Sequence, residues 1–148
     1  MESRDRQILE KIIMYCDRLE ENKERISGNK EIFLVDHMVQ DACCMCIVQI
    51  GELAGLLTEK TKSLNNSIPW RVIKDTRNFY VHSYGSIDLD MVWNTMASDV
   101  PLLKDACVNM VGQIDENDRF LQKTALPDNS DRAEKFGVQI RPSPLILI

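Results

Sequence analysis

The chain has 148 residues, an apolar fraction of 44% and a formal net charge of −5. This length suffices for one domain with a hydrophobic core, and the apolar fraction is normal for a globular protein. The negative charge argues against a protein that binds nucleic acid over its whole surface, so any RNA or DNA contact should be local. The charged N-terminus does not resemble a signal peptide, and no run approaches the ~18 apolar residues of a transmembrane helix. We therefore expect a cytoplasmic protein with no membrane partner.

The first half of the chain contains two segments with helical periodicity. The first segment predicts an amphipathic helix from about Ser3 to Ile26, ended by Gly28 at the left-handed C′ position. The second segment, Lys30 to Leu57, is apolar on more than one side, which is typical of a central helix or of a helix at a subunit interface. The polar stretch from Thr58 to Ser67 is predicted to be a linker.

The second half predicts two or three further helices. One runs from Pro69 to about His82, because proline is tolerated in the first turn of a helix; its expected inward side chains are Trp70, Ile73, and Phe79 or Tyr80. Asp88 is a predicted N-cap for the next helix. Pro101 either interrupts that helix or starts another one that extends to about Leu121.

These elements together predict an all-α fold, an up-and-down bundle of four to five helices over residues 1–123. Residues 124–148 have three prolines and no periodicity, so they predict an irregular C-terminal tail. The tail ends in the apolar sequence PLILI, which fits either a loosely packed end or a short docking segment.

The five cysteines do not indicate a disulfide framework or a metal site. Their number is odd, and three of them lie in one short cluster. Cys43 and Cys46 have CxxC spacing, and His37 precedes them, but a zinc site needs about four ligands and no second pair exists. We predict reduced thiols that fill core space, with no metal and no cofactor.

The stretch RNFYVHSY, residues 77–84, concentrates chemically active side chains. Because an α-helix turns about 100° per residue, Arg77 and Tyr84 should lie nearly in line, whereas His82 is rotated by about 140° from Arg77. Arg77 and His82 converge only if the helix ends or bends near His82, or if a second copy supplies its own pair across a two-fold axis. A capping or structural histidine is the alternative for His82.

A local excess of positive charge precedes this stretch. Residues 60–77 contain five cations and one acid, which gives a net charge of +4 and leaves −9 for the rest of the chain. A basic strip beside aromatic residues is typical of a local platform for phosphates and bases. An ordinary solvated helix face has the same composition, so this strip alone does not decide between the two interpretations.

The residues Arg77-Asn78-Phe79-Tyr80-Val81-His82-Ser83-Tyr84 resemble the RX4HXY signature of HepT-like proteins, a branch of the HEPN superfamily. Three further stretches resemble segments of the same family: DACCMCIVQIGELAGLL, which contains an Ile50-Gly51-Glu52 turn, IPWRVIKDTRN and YGSIDLDMVWNT. The resemblance covers roughly residues 2–121 and does not extend to the tail.

This resemblance implies a two-fold homodimer whose two motifs face a shared cleft. It also implies a metal-independent endoribonuclease toxin of a type II-like toxin–antitoxin system, with Arg77 and His82 as catalytic residues and Asn78 orienting the phosphate. Such toxins are encoded beside a minimal nucleotidyltransferase antitoxin of the MntA type, which is thought to add AMP to the motif tyrosine, here Tyr84. The alternative is a catalytically inactive HEPN domain that serves as an interaction or nucleotide-binding module.

The implied roles agree with the chemistry of the side chains. Cleavage of RNA without a metal uses the 2′-hydroxyl as nucleophile and needs a group that exchanges protons near neutral pH. Histidine, with an unperturbed pKa of about 6.5, is such a group. Arginine can bind the phosphate oxygens with two hydrogen bonds at once.

Overall fold

The computed structural model describes the backbone of residues 2–82 and 86–125 and the side chains of residues 4–78 and 86–125. Within these ranges the chain is helical, which confirms the all-α prediction. The elements are α1 (Glu2–Arg25), α2 (Lys30–Phe33), α3 (His37–Leu56), α4 (Glu59–Lys62), α5 (Trp70–His82), α6 (Leu89–Asn94), a π-helical turn (Thr95–Asp99) and α7 (Val100–Thr124). Residues 1–115 form one compact unit, and the part of α7 from Glu116 onward belongs to a second unit.

Helix α1 has the predicted apolar stripe and nearly the predicted ends. Leu9, Ile12 and Cys16 are completely buried along this stripe. The end of the helix differs from the prediction by one residue. Ser27 takes the left-handed position with a φ of 55°, and Gly28 follows it with a φ of 65°. The amide of Gly28 donates to the carbonyl of Lys23 at 2.9 Å. This is the hydrogen bond of a Schellman motif that joins the first and sixth residues of the turn.

The segment predicted as one helix from Lys30 to Leu57 is broken in two, so that prediction was wrong at residues 34–36. Asp36 has an extended backbone, and its Oδ1 accepts a hydrogen bond from the amide of Val39 at 3.2 Å. Gln40 Nε2 donates to the carbonyl of Phe33, at the end of α2, at 2.8 Å. These two polar side chains satisfy backbone groups on both sides of the break, which makes the interruption inexpensive.

The predicted linker from Thr58 to Ser67 contains the short helix α4, which is tied to α1. Thr58 caps α4, and the hydroxyls of Thr58 and Thr61 both donate to the carboxylate of Asp5. Asp5 is only 2% exposed. Its burial alone would raise the pKa of Asp5, but the hydrogen bonds from Thr58 and Thr61 outweigh that effect and lower it.

The core lies around α3, which packs against α1 on one side and α5 on the other. Cys43 and Cys46 are buried in it, as the sequence predicted, and the described cysteines are free thiols. Burial raises the pKa of Cys43 to about 12, with smaller contributions from the neighbouring thiols. An inert, apolar role follows for this thiol.

The chain from Leu89 to Thr124 is helical without a break, but its geometry changes before Pro101. Asp88 caps α6 as predicted, since its Oδ1 accepts from the amide of Met91 at 3.1 Å. The π-helical turn then lets the amide of Val100 reach the carbonyl of Thr95. Pro101, which has no N–H to donate, therefore lies in the first turn of α7 behind a widened turn rather than inside a regular helix.

Helix α3 is long and apolar enough, by length and composition alone, to cross a membrane. A core helix of a soluble protein has the same properties, and α3 packs against both α1 and α5. These contacts account for part of its apolar surface, since 39% of the apolar window is buried and Met38, Met45 and Leu56 are exposed.

Candidate active site

Helix α5 carries the first six of the eight motif positions, Arg77 to His82, and its start is fixed by a buried tryptophan. Trp70 is 8% exposed, and its Nε1 donates to the carbonyls of Lys62 and Asn65, each at 3.2 Å. Pro69 immediately precedes the helix, close to the predicted start. Ile73, one turn later, packs against the core. The first turn of α5 is thereby anchored to the chain that leads into it.

A glycine on α3 brings α5 unusually close at the position of Arg77. A Cβ built on Gly51 would lie 2.7 Å from Arg77 Cβ and 3.0 Å from the carbonyl oxygen of Ile73. Real Cβ atoms essentially never approach other heavy atoms within 3.0 Å. The two helices can therefore touch at this point only because residue 51 has no side chain.

The guanidinium of Arg77 has two polar contacts, one with α3 and one with its own helix. Its Nε forms an ion pair with Glu52 Oε1 of α3. Nε is itself buried and, among the described residues, has no acceptor in hydrogen-bonding geometry, so the contact is electrostatic. Nη1 donates to Asn78 Oδ1 at 3.2 Å. The Arg77 side chain as a whole is still 42% exposed, so much of the group faces solvent.

A small cleft of about 170 Å³ surrounds these groups, and we call it the Arg77 cleft. Gly51, Glu52, Gly55 and Leu56 form its α3 wall. The residues that line it are Gly51, Glu52, Gly55, Leu56, Lys74, Arg77 and Asn78. Two cations and an amide in one exposed cleft can hold a phosphodiester by charge and by hydrogen bonds.

A larger groove of about 560 Å³ lies at a different face of α5. Its walls are mostly apolar and include Ile68, Val72 and Leu103. Among the described residues, neither Arg77 nor Asn78 lines it. Its described lining offers apolar contact and the amides of Asn65 and Asn109, but neither an arginine nor a histidine.

The structure brings Arg77 and Asn78 together through the hydrogen bond from Nη1 to Oδ1, a contact that the sequence analysis did not predict. The backbone is helical through His82, so positions 77 and 82 are about 140° apart around the helix axis. The side chain of His82 and all of Tyr84 lie outside the described residues, as do the side chains of Phe79 and Tyr80 and residues 126–148 of the predicted tail.

The basic strip is less positive in the fold than along the chain. Arg77 is paired with Glu52, and Lys62 Nζ is 3.2 Å from Glu59 Oε1. Both acids lie outside residues 60–77, so counting them lowers the charge of the strip from +4 to +2. Electrostatic attraction of RNA by this face is correspondingly weaker than the sequence suggested.

Glu52 is the residue that reasoning from composition and spacing missed. It lies 25 positions before its partner Arg77, and its isolated sequence context is that of a polar residue on an apolar helix. The only signal in the sequence was its place in the Ile50-Gly51-Glu52 turn, which carried the family resemblance without a role for the carboxylate.

The geometry defines a class of protein: an all-α domain with an exposed arginine–amide pair at a cleft between two closely packed helices. Comparisons with known proteins identify the family. A profile described as "Ribonuclease HepT-like" matches residues 12–110, and the chain belongs to this family.

Curated relatives carry names of the same kind. The chain is 34% identical over 74 residues to "Probable ribonuclease HepT" of Thermococcus cleftensis, covering 50% of this chain and 67% of that protein. It is 27% identical over 99 residues to a protein of Caldanaerobacter subterraneus subsp. tengcongensis named "Putative RNase", covering 67% and 87% of the two chains.

A third relative is longer. A Methanocaldococcus jannaschii protein named "Gamma-glutamylcyclotransferase and putative RNase" is 28% identical over 85 residues, which cover 57% of this chain but only 38% of that protein. A search of solved structures gave no match.

Proposed function

We propose that this chain is a metal-independent endoribonuclease that acts as a toxin, with Arg77 and His82 as its catalytic residues. The observation that carries the proposal is the exposed Arg77–Asn78 pair in the Arg77 cleft, followed along the chain by His82 and Tyr84. Membership of the HepT-like family and the names of the relatives support ribonuclease activity.

In the proposed reaction, the 2′-oxygen of a ribose attacks the adjacent phosphorus and its proton passes to a base. The bond from phosphorus to the 5′-oxygen breaks, and that oxygen takes up a proton. The products are a 2′,3′-cyclic phosphate and a 5′-hydroxyl. We assign the proton transfers to His82, because an imidazole exchanges protons near neutral pH, and such help is typically worth ~10²–10⁴-fold in rate.

Arg77 is assigned to the phosphate. Its guanidinium is planar, permanently charged and able to donate two parallel hydrogen bonds to the oxygens that gain charge during the attack. Asn78, which accepts a hydrogen bond from Arg77 Nη1, helps to orient that group. The reaction needs both a base and an acid, and a two-fold homodimer with its motifs facing one cleft would supply two histidines for these tasks.

Regulation by a nucleotidyltransferase antitoxin of the MntA type is the second part of the proposal. In that modification the phenol oxygen of Tyr84 attacks the α-phosphorus of ATP and pyrophosphate leaves, so that AMP stays on the tyrosine. Tyr84 comes seven positions after Arg77, and on a continuous α-helix that spacing would be close to two full turns. The phosphate of the added AMP would then compete with RNA for Arg77.

The test is an RNA cleavage assay in the presence of a chelator, using wild type and His82→Ala. We expect cleavage to a cyclic phosphate by wild type and none by His82→Ala, with equal helical content in both. His37→Ala is the matched control, because His37 is the other histidine of the chain, is exposed and lies at the start of α3. Cleavage that is equal in wild type and His82→Ala would leave the inactive interaction or nucleotide-binding module as the function.

The regulatory part is tested by intact mass. The chain is expressed alone and together with the MntA-type nucleotidyltransferase encoded nearest to it. We expect a mass gain of whole AMP units only on co-expression, lost in Tyr84→Phe, and cleavage only by unmodified protein. An unchanged mass with cleavage intact would contradict regulation by AMP while leaving the ribonuclease proposal in place.

A further inference from the structure

Glu52 is an acidic residue inside a cleft that we assign to the binding of an anion. Its Oε1 lies against Arg77 Nε, and the side chains of Glu52 and Arg77 are 43% and 42% exposed. We infer that Glu52 is a positioning residue for the ribonuclease proposed above: its carboxylate holds the Nε edge of Arg77 against α3, so that the remaining donors of the guanidinium face the phosphate. The effect on catalysis rests on that proposed function, whereas the positioning of Arg77 by Glu52 rests on the geometry alone.

The setting of this ion pair differs from that of an ordinary surface pair. Arg6 and Glu10 of α1 form a pair at 3.1 Å with exposures of 44% and 50%, but they lie on one helix. Glu52 and Arg77 connect two helices that touch at Gly51. Arg77 Nε is buried without an acceptor in hydrogen-bonding geometry among the described residues, which is costly unless an opposite charge beside it offsets the cost. Glu52, adjacent to Gly51 in the chain, brings a carboxylate to this atom.

The two neighbouring residues of α3 thus fix Arg77 at two points. Gly51 determines where Arg77 Cβ can lie, and Glu52 determines where Nε lies. Asn78 Oδ1 adds a third contact at Nη1, 3.2 Å away. An arginine side chain has several rotatable bonds, and fixing them before the substrate arrives lowers the entropic part of the activation barrier.

The charge of Glu52 gives the inference a distinctive kinetic signature. A carboxylate beside the phosphate site repels the phosphate, so Glu52 weakens binding of RNA in the ground state. Removing it should therefore leave KM unchanged or lower it. The rate of the chemical step should fall, because a mobile guanidinium no longer meets the charge that develops in the transition state.

The kinetic test compares wild type, Glu52→Ala and Glu52→Gln in His82-dependent cleavage. We expect kcat to fall by about 10–100-fold in Glu52→Ala, the range of losses that small misplacements of a catalytic group cause. We expect a smaller loss in Glu52→Gln, which keeps an acceptor oxygen, and no rise of KM in either variant. Glu10→Ala removes the matched ion pair on α1 and should cleave like wild type.

Two kinetic outcomes would overturn the inference. In the first, Glu52→Ala has the kcat of wild type. In the second, KM rises while kcat is unchanged, which would make Glu52 a contact of the ground state. Thermal unfolding of the same variants tests for a purely structural role. Because alanine is a better helix former than glutamate, Glu52→Ala should stay folded, and a large fall in its melting temperature would indicate that Glu52 acts on stability.

A spectroscopic test is independent of cleavage. In protein labelled with ¹⁵N-arginine, the Nε–H signal of Arg77, identified by its loss in Arg77→Lys, should exchange slowly with water in wild type. It should exchange faster in Glu52→Ala. Equal exchange in both proteins would overturn the inference. If wild type fails to cleave RNA but the exchange rates differ as expected, the proposed function fails and the positioning of Arg77 by Glu52 stands.

Discussion

The contact between α3 and α5 at Gly51 makes a sharp prediction about alanine substitutions. In Gly51→Ala, the new methyl group would lie 2.7 Å from Arg77 Cβ and 3.0 Å from the carbonyl oxygen of Ile73. Neither atom can rotate away, because one is backbone and the other is attached directly to it. Helix α5 must therefore move away from α3, and Arg77 must move with it.

Gly55, one turn later on α3, provides a matched control. A methyl group at this position would meet only the side-chain carbons of Lys74, the nearest at 3.4 Å. That distance is an ordinary van der Waals contact, and the lysine chain is flexible. Both substitutions replace a helical glycine of the same helix by alanine, facing the same neighbouring helix.

The magnitudes decide the expected order of stability. Replacing glycine by alanine inside a helix stabilises it by about 0.8–1.0 kcal/mol, and this gain is common to both variants. Overpacking at Gly51 costs about 1–3 kcal/mol, which the Gly55 site does not incur. We expect Gly55→Ala to be neutral or stabilised by up to about 1 kcal/mol. Gly51→Ala should be less stable than Gly55→Ala by about 1–3 kcal/mol.

Urea unfolding, monitored by circular dichroism, measures the free energy of unfolding of both variants. The cleavage assay reports whether a displacement of Arg77 lowers activity. Gly51→Ala should lose cleavage activity by more than its loss of folded protein, while Gly55→Ala should keep it. Equal stability of the two variants would refute the close approach of the helices. A destabilised Gly51→Ala with the kcat of wild type would refute the link between this contact and the site.

Two further predictions concern titratable groups away from the site. Since the pKa of Asp5 is lowered below its ordinary value of 3.8, its contribution to stability is present above that value and is lost as the pH falls through the folded pKa. Asp5→Ala should therefore cost about 1–3 kcal/mol in urea unfolding at pH 7 and clearly less at pH 3; an equal cost at both would contradict this account. Cys43, buried and with its pKa raised to about 12, should react with a thiol reagent at pH 8 only after unfolding, whereas the partly exposed Cys44 should react faster. Peptide mapping of the labelled protein checks this order, and equal labelling of both thiols in the native state would contradict it.

Much of the helical structure could be predicted because its signals are local. The cap at Asp88 needs only an aspartate three residues before the amide that it accepts from, and the sequence identified it. The break at Asp36 uses the same chemistry, with Val39 as donor. It was missed because the apolar residues on both sides continue the helical periodicity and made Asp36 look like part of a polar edge.

The candidate site divides in the same way. Arg77 and Asn78 were named from the family motif, but adjacent residues of a helix do not usually face each other, so their hydrogen bond did not follow from the sequence. Glu52 reaches Arg77 only because α3 and α5 touch, and neither residue carries a signal of the other. The sequence shows that Gly51 is a glycine within an apolar helix. Its structural role depends on which helix packs against it, and helical periodicity does not identify that neighbour.

The charge of the site shows why counting along the chain misleads. The sequence assigned +4 to residues 60–77, yet the fold adds Glu52 and Glu59 from outside that range and pairs them with two of the five cations. A strip of +2 attracts a polyanion much less than a strip of +4, since each neutralised phosphate adds to the affinity. Affinity from bulk charge is therefore modest in this protein. Under the proposed function, the Arg77 cleft would instead select RNA through the direction of a few donors, and the contacts at Gly51 and Glu52 are the ones that we propose to set that direction.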